Sequence, residues 1–196
     1  MSGAGPDAVR AALADVWRPG RDPAEPLAAW GARDVLLDVL GALVRLVRPA
    51  VVVETGVALG YSSATILAAL EANGHGRLHS IDLPAPQWDP DREVGELVPA
   101  GLRSRWALEL GPSQRLLPRA LDRLAPVDLF LHDSNHGYSA QLREYRTAWP
   151  ALRPGGILVS DDVWSPAFLE HAAAVGARPL LVAKPVRGAI GLARKP

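Results

Sequence analysis

From Ala50 onward the chain alternates short apolar runs with longer segments of helical pattern, and this alternation constrains the fold more than any other feature. The first run, AVVVE, is rich in β-branched residues, which is typical of a strand buried on both faces of a parallel sheet. Strands that alternate with helices form one sheet with helices packed on both of its faces. The sequence therefore predicts an α/β fold with a Rossmann-like, doubly wound sheet.

Seven segments have the pattern of strands, and the connection between the last two is too short to hold a crossover helix. Such a short connection makes the two strands that it joins antiparallel. We therefore predict a seven-stranded, mostly parallel sheet with an antiparallel last strand. The seven segments are AVVVE, RLHSID, RWALEL, VDLFLHD, GGILVSD, RPLLVAK and GAIGLARK.

The length of 196 residues is within the usual size of a single domain. Residues 33–196 are predicted to form that domain. Residues 1–32 are predicted to form an N-terminal helical arm, with one helix over about Asp7 to Trp17 and a Pro- and Gly-rich connection after it. Two roles are open for this arm: it covers a pocket, or it contacts a second subunit in a homodimer.

Charge and composition exclude several classes of partner. The chain has 21 Lys and Arg against 21 Asp and Glu and no run of Lys and Arg, so we expect no binding to nucleic acid, which requires a basic patch. It has no cysteine, which excludes disulfides, thiolate metal sites and a cysteine nucleophile. The longest apolar region, Val35 to Val47, is too short to span a bilayer, and no signal peptide pattern is visible. We expect a cytoplasmic protein with neither nucleic acid nor membrane as partner.

The segment after the first predicted strand, from Glu54 to Ser63, combines a glycine-containing loop with the start of a helix. Such a loop brings backbone N–H groups close to a ligand, and a helix N-terminus favours an anionic group. Gly56 and Gly60 are four residues apart, which differs from the dinucleotide fingerprint, and the segment lacks the Gly-Lys-Ser/Thr of a phosphate loop. A tight turn with Ser62 as helix cap would explain the same residues without a ligand.

The residues ETGVALGYSS resemble the first motif of catechol-type and caffeoyl-CoA-type O-methyltransferases, which use S-adenosylmethionine (SAM). Further matches follow in the same order and cover about Arg33 to the C-terminus. This resemblance implies transfer of a methyl group from SAM to a hydroxyl of a small molecule, such as a catechol or a sugar or natural-product diol. The other matching residues are Ile81-Asp82, Gly111-Pro112-Ser113-Gln114, Asp133 and Asp161-Asp162.

The resemblance also implies how SAM is held. Asp82 would bind the ribose hydroxyls, because a carboxylate can accept two hydrogen bonds from a cis-diol. Ser113 and Gln114 would border the adenine, although both residues could serve only as the cap and first turn of their helix. The complete predicted cofactor site is Glu54, Gly56, Gly60, Tyr61, Ser62, Asp82, Ser113, Gln114 and Asp133.

A divalent metal, Mg²⁺ or another cation, is implied at Asp133, Asp161 and Asp162. Three carboxylates at one site are unfavourable unless a cation is bound, and oxygen ligands suit Mg²⁺. Catechol-type enzymes have Asn where this chain has Asp162. Adjacent residues of a strand face opposite ways, so the two aspartates converge only if their strand has already ended. Otherwise one of them only hydrogen-bonds nearby backbone.

His136 lies three residues after Asp133, where catechol-type enzymes have a lysine that acts as general base. A histidine with an unperturbed pKa of about 6.5 suits that role, so His136 and Asp133 are the predicted catalytic residues. A solvent-exposed loop histidine, or a zinc pair with His132, is the alternative reading. Two other functions stay open: a metal-independent methyltransferase that uses Asp133 and His136, and a SAM-binding protein without transfer activity.

The acceptor is less well defined by the sequence. Trp88 and Trp164 are candidates for aromatic walls of its pocket. Lys184 and Arg187 lie in the loop where catechol-type enzymes carry an acid that contacts the second hydroxyl. This difference indicates an acidic or highly oxygenated acceptor.

Overall fold

The computed structural model describes residues 33–84, 91–184 and 188–196. The predicted N-terminal arm, Trp88 and Arg187 therefore lie outside the described residues. No helix in the described part of the chain combines the length and the apolar character needed to cross a membrane.

Seven strands form one sheet in the order β3-β2-β1-β4-β5-β7-β6. Strands β1 to β5 are parallel, and β7 is antiparallel to both of its neighbours, β5 and β6. This arrangement confirms the predicted fold class and the antiparallel last strand. The strands are β1 (Val51–Thr55), β2 (Arg77–Asp82), β3 (Trp106–Leu110), β4 (Val127–His132), β5 (Leu152–Ser160), β6 (Pro179–Ala183) and β7 (Ala189–Arg194).

Helices cover both faces of the sheet. A proline usually ends or kinks a helix, yet Pro118 lies inside the helix Ser113–Leu124. Pro118 and Gln114 are both exposed, so water can satisfy the Gln114 carbonyl, which has no N–H partner at residue 118. A 3₁₀ helix spans Ala100–Arg105. The α-helices are α1 (Arg33–Val47), α2 (Tyr61–Asn73), α3 (Ser113–Leu124), α4 (Tyr138–Ala151) and α5 (Ala167–Ala174).

Neighbouring residues of β1 show that both faces of the sheet are buried. Val52 and Val53 point to opposite faces, and both are fully buried. Val52 packs in the core formed with α1 and α2, and Val53 packs in the core formed with α3, α4 and α5. Strand order reverses between β1 and β4, and in such sheets the ligand crevice lies beyond the carboxyl ends of these strands. We call this side of the sheet the carboxyl edge.

Candidate active site

The loop between β1 and α2, residues 56–60 (the glycine loop), packs against the end of β4. Gly56 has φ +85°, and a Cβ placed on it would lie 2.0 Å from the backbone oxygen of Asp133. The backbone N–H of Asp133 donates in turn to the carbonyl of Thr55 at 2.8 Å. Only glycine fits this backbone and this contact, and the contact places Asp133 directly beside the glycine loop.

Helix α2 starts without a side-chain cap. Its N-cap residue is Gly60, with φ +96°, which has no side chain that could accept a hydrogen bond from the first turn. Ser62, the cap in the alternative interpretation, instead donates its hydroxyl to Glu54. The first N–H groups of an α-helix have no partner within their own helix, and those of α2 point toward the carboxyl edge, where a helix start favours an anionic group.

Glu54 is fully buried and accepts hydrogen bonds from three hydroxyls. Ser62 donates to Oε1 at 2.6 Å, while Ser63 and Ser80 donate to Oε2 at 2.6 and 2.7 Å. Burial raises the pKa of Glu54, and these hydrogen bonds oppose that rise only in part. Glu54 therefore ties the start of α2 to β1 and β2, which fixes the direction in which the helix start points.

Asp82, at the end of β2, fixes the shape of the glycine loop. Its Oδ2 accepts the backbone N–H groups of Val57 and Ala58, both at 2.7 Å, and its Oδ1 accepts that of Leu83 at 2.7 Å. A carboxylate offers about four acceptor positions, so capacity remains for a further donor. The predicted ribose contact is thus compatible with this position.

Ser113 and Gln114 open α3 at the carboxyl edge. The hydroxyl of Ser113 donates to Glu144 at 2.5 Å and does not cap its own helix. Gln114 is exposed to solvent, and Tyr61, the first residue of α2, is half-buried. The predicted adenine-side residues therefore lie at the same edge as the glycine loop.

Glu144 on α4 is a central residue of the site that the sequence reasoning missed. Its Oε2 accepts from Thr55 Oγ1 at 2.5 Å and lies 2.7 Å from His132 Nδ1. Its Oε1 accepts from Ser113 at 2.5 Å and from Ser134 at 3.0 Å. Burial raises the pKa of Glu144, but the contact with His132 and the hydroxyl hydrogen bonds outweigh it and leave the pKa lowered.

One signal for Glu144 was present in the sequence. Gln141, Glu144, Tyr145 and Ala148 follow the helical spacing of a buried face, and all four are buried. Two polar residues at core-facing positions of a helix need hydrogen-bond partners from neighbouring elements. The sequence alone does not say which elements supply them.

The aspartates after β5 converge because the strand ends at Ser160. Asp162 has φ +47°, a left-handed conformation that Asp and Asn tolerate better than most residues. Both carboxylates contact Lys184: Nζ lies 2.7 and 2.8 Å from the two oxygens of Asp161 and 2.5 Å from Asp162 Oδ1. We call these three residues the acid–lysine cluster.

Lys184 is 7% exposed. Burial by itself lowers the pKa of Lys184, but Asp161 and Asp162 outweigh it and raise that pKa above its ordinary value. Burial raises the pKa of Asp161, with Lys184 opposing the rise. Because Nζ contacts both oxygens of Asp161, we describe the pair as charged. Lys184 is therefore occupied by these aspartates, which contradicts the expectation that it recognises an acidic acceptor.

His136 stands between two carboxylates. Its Nε2 lies 3.8 Å from Asp162 Oδ2 and 3.9 Å from Asp133 Oδ1. Burial lowers the pKa of His136, and the neighbouring His132 acts in the same direction while Asp162 opposes it. The predicted catalytic residues Asp133 and His136 are thus brought together, and the imidazole is neutral at neutral pH.

The arrangement of the three aspartates does not fit a magnesium ion. Within the described residues, no group of three or more His, Asp or Glu side chains is placed to hold a metal. The Lys184 ammonium lies where a cation between Asp161 and Asp162 would lie. The zinc alternative is also unsupported, because His132 and His136 have no third His, Asp or Glu side chain placed to complete a metal site within the described residues.

Comparison with known proteins identifies the family. A family model described as a methyltransferase domain matches residues 53–163, more than half of the chain. The chain therefore belongs to this family of methyltransferases, which confirms the class that the sequence motifs indicated. No protein of curated function matches the sequence.

Solved structures with the same fold include several O-methyltransferases. The O-methyltransferase TomG from Streptomyces achromogenes, involved in tomaymycin synthesis and solved with SAM, has 21% identity over 98% of this chain and 91% of its own, with a TM-score of 0.64. The O-methyltransferase from Bacillus cereus in complex with SAH has 16% identity, coverage of 98% and 92%, and a TM-score of 0.61. CalS11, a TDP-rhamnose 3′-O-methyltransferase of calicheamicin biosynthesis, has 19% identity, coverage of 98% and 96%, and a TM-score of 0.62.

Proposed function

We propose that this protein transfers a methyl group from SAM to a hydroxyl oxygen of a small molecule. The observation that carries the proposal is the position of His136 and Asp133 beside the glycine loop and the uncapped start of α2. Membership of the methyltransferase family supports methyl transfer. Structures of similar fold include O-methyltransferases solved with SAM or SAH, which supports the cofactor and the oxygen acceptor.

The residues at the carboxyl edge fit SAM. The uncapped first turn of α2 would receive its carboxylate, and Asp82 has acceptor capacity left for its ribose hydroxyls. The segment after residue 90 packs against the glycine loop, because the N–H groups of Gly95 and Leu97 donate to the carbonyls of Ala58 and Leu59. When bound, SAM supplies a methyl group on a positively charged sulfur.

His136 would act as the general base. Its neutral Nε2 takes the proton of the acceptor hydroxyl while the oxygen forms its bond to the methyl carbon. The carbon–sulfur bond breaks, and its electron pair stays on sulfur. Asp133 and Asp162, each within 3.9 Å of Nε2, stabilise the imidazolium that forms. The chain thus needs no covalent intermediate on a protein side chain.

The acceptor pocket is expected beside Trp164. This side chain is 47% exposed, and its backbone N–H donates to the carbonyl of Asp162. Trp164 is two residues from Asp162, whose carboxylate faces His136. An exposed indole at this position offers a flat apolar wall for an aromatic ring or a sugar face. A hydroxyl with a neighbouring oxygen, as in a catechol or a sugar diol, remains the proposed acceptor group.

The proposal is tested by calorimetric titration with SAM, followed by methyl-transfer assays on dihydroxybenzoate and a set of sugar diols. We expect SAM to bind and His136→Ala to lower kcat by about 10²- to 10⁴-fold without weakening SAM binding. The control is His75→Ala, because His75 lies after α2, at the opposite end of that helix. Full activity in His136→Ala would contradict the base assignment. Binding of SAM without transfer to any acceptor would favour the SAM-binding protein instead.

A further inference from the structure

We propose that the Lys184 ammonium takes the place of a divalent cation at the carboxyl edge, so that this chain methylates its acceptor without a metal. Methyl transfer without a metal rests on the proposed function. The placement of the Lys184 ammonium at the cation position is independent of that function. The inference begins from the acid–lysine cluster, whose two aspartates are two of the three predicted metal ligands.

The lysine is built into the fold and does not reach the aspartates from a flexible surface position. It follows β6 directly, and its backbone N–H donates at 3.1 Å to the carbonyl of Gly188, the residue before β7. Its side chain is 2% exposed. Strand β6 is separated from β5 only by β7, so Lys184 at the end of β6 reaches the aspartates that follow β5.

The charges explain why a second cation is disfavoured. The ammonium contacts three of the four carboxylate oxygens of Asp161 and Asp162, at 2.5 to 2.8 Å. A divalent ion on the same oxygens would repel the ammonium, and moving Lys184 away would leave a buried charge without a partner. The cluster is therefore already neutralised in part by the chain itself.

Lys184 is a positioning residue in this scheme. It binds Oδ1 of Asp162, and the other oxygen of the same carboxylate, Oδ2, faces His136 Nε2 at 3.8 Å. Holding one oxygen fixes the direction of the other. Lys184 thereby orients the carboxylate that stabilises His136 when the imidazole carries the acceptor proton.

The first test uses the unmodified, metal-stripped protein. Titration with Mn²⁺, followed by the electron paramagnetic resonance signal of the free ion, is expected to show no binding. Methyl transfer is expected to be the same with EDTA as with added Mg²⁺. Mn²⁺ binding by the unmodified protein, or loss of transfer with EDTA that Mg²⁺ restores, would overturn the proposal. If no transfer is found with any acceptor, the Mn²⁺ titration still decides whether Lys184 excludes a metal.

The second test removes the ammonium. Lys184→Met leaves the aspartates without their cation, so we expect this variant to gain Mn²⁺ binding, and Lys184→Arg to bind none. The matched control is Lys195→Met, since Lys195 is the other lysine of the chain and its Nζ contacts carbonyls at the end of α4. A folded Lys184→Met that binds no Mn²⁺ would overturn the assignment of the cation position. If Lys184→Met does not fold, Asp162→Asn with Lys184→Met lowers the charge and serves in its place.

Discussion

Single residues with left-handed backbone shape the candidate active site. Gly56 and Gly60 have φ angles of +85° and +96°, and Asp162 has φ +47°. Gly56 allows the glycine loop to touch the end of β4, and Asp162 turns the chain so that both aspartates reach Lys184. At each of these positions the backbone conformation decides where the neighbouring functional groups point.

The substitution Gly56→Ala tests the first of these positions. We expect a loss of more than about 2 kcal/mol in the free energy of unfolding, because alanine is strained at this φ and its Cβ would overlap the backbone of Asp133. Urea denaturation measures this loss. Gly74→Ala is the control, because Gly74 has φ +75° but no atom within 4 Å of its added Cβ. There we expect about 1 to 2 kcal/mol from the backbone alone. Equal losses in both variants would contradict the overlap.

At the scale of secondary-structure elements, α4 organises the carboxyl edge. Glu144 connects it to β1, α3 and the end of β4, and Gln141 connects it to the segment after β5 through Asp162 and Ser165. One helix thus joins four neighbouring parts of the site. The positions of the substrate-facing residues therefore depend on how firmly α4 is held.

We predict that Glu144→Gln lowers the free energy of unfolding by about 2 kcal/mol or more, because an amide N–H₂ would face side chains that donate hydrogen bonds. Chemical denaturation at neutral pH gives the value. Ser134→Ala, which removes the longest of the four contacts, serves for comparison and should cost about 1 kcal/mol or less. A Glu144→Gln value no larger than this would mean that the carboxylate is not needed to hold α4.

The contact between α4 and α5 gives a prediction for pH. His171 on α5 is buried between the rings of Tyr145 and Trp149, and burial lowers its pKa. In the unfolded chain the imidazole takes up a proton at about pH 6.5. The buried neutral imidazole therefore costs no stability above that pH. Below it, the free energy of unfolding falls as the pH drops toward the lowered pKa of His171 in the folded protein. His171→Phe should reduce the loss of stability between about pH 7 and about pH 5. Unfolding curves of both proteins at the two pH values test this, and an unchanged pH dependence would exclude His171 as its source.

The elements and the site differ in how far the sequence predicts them. The β-branched run before Glu54 and the short connection between the last two strands are local signals, and both predictions were confirmed. The approach of His136 to Asp133 could also be predicted from the sequence, since both residues lie in the one loop after β4. Lys184 was different, because its contact with Asp161 depends on β7 lying between β5 and β6. No local pattern specifies which strand of a hairpin pairs with the rest of the sheet.

At the scale of the whole molecule, the candidate SAM site draws on both cores. The glycine loop leads to α2, which packs on one face of the sheet, whereas Ser113 opens α3 on the other face. Both cores share the same strands, so a ligand bound at the carboxyl edge should stabilise the described domain as one unit. Separate stabilisation of one core would require the sheet to come apart between its two faces.

This gives a prediction for the stability of the whole chain. At a SAM concentration of about 100 times Kd, we expect the free energy of unfolding to rise by about 2.7 kcal/mol, in a single urea transition. Fluorescence and circular dichroism should report the same midpoint with and without SAM. The Gly56→Ala variant, whose loop is expected to be displaced, should show a smaller rise. Two transitions, of which only one moves with SAM, would contradict a single cooperative unit.

The β6–β7 turn that carries Lys184 lies beyond residue 163, where the match to the family ends. The acidic motif therefore lies inside the match, and the lysine that contacts it lies outside. A single codon change that places a lysine at position 184 would thus replace a required magnesium ion by an ammonium group of the chain itself. Within this family, metal requirement would then follow the hairpin more closely than the shared motif, and homologues that agree in every motif residue could differ in their response to chelators.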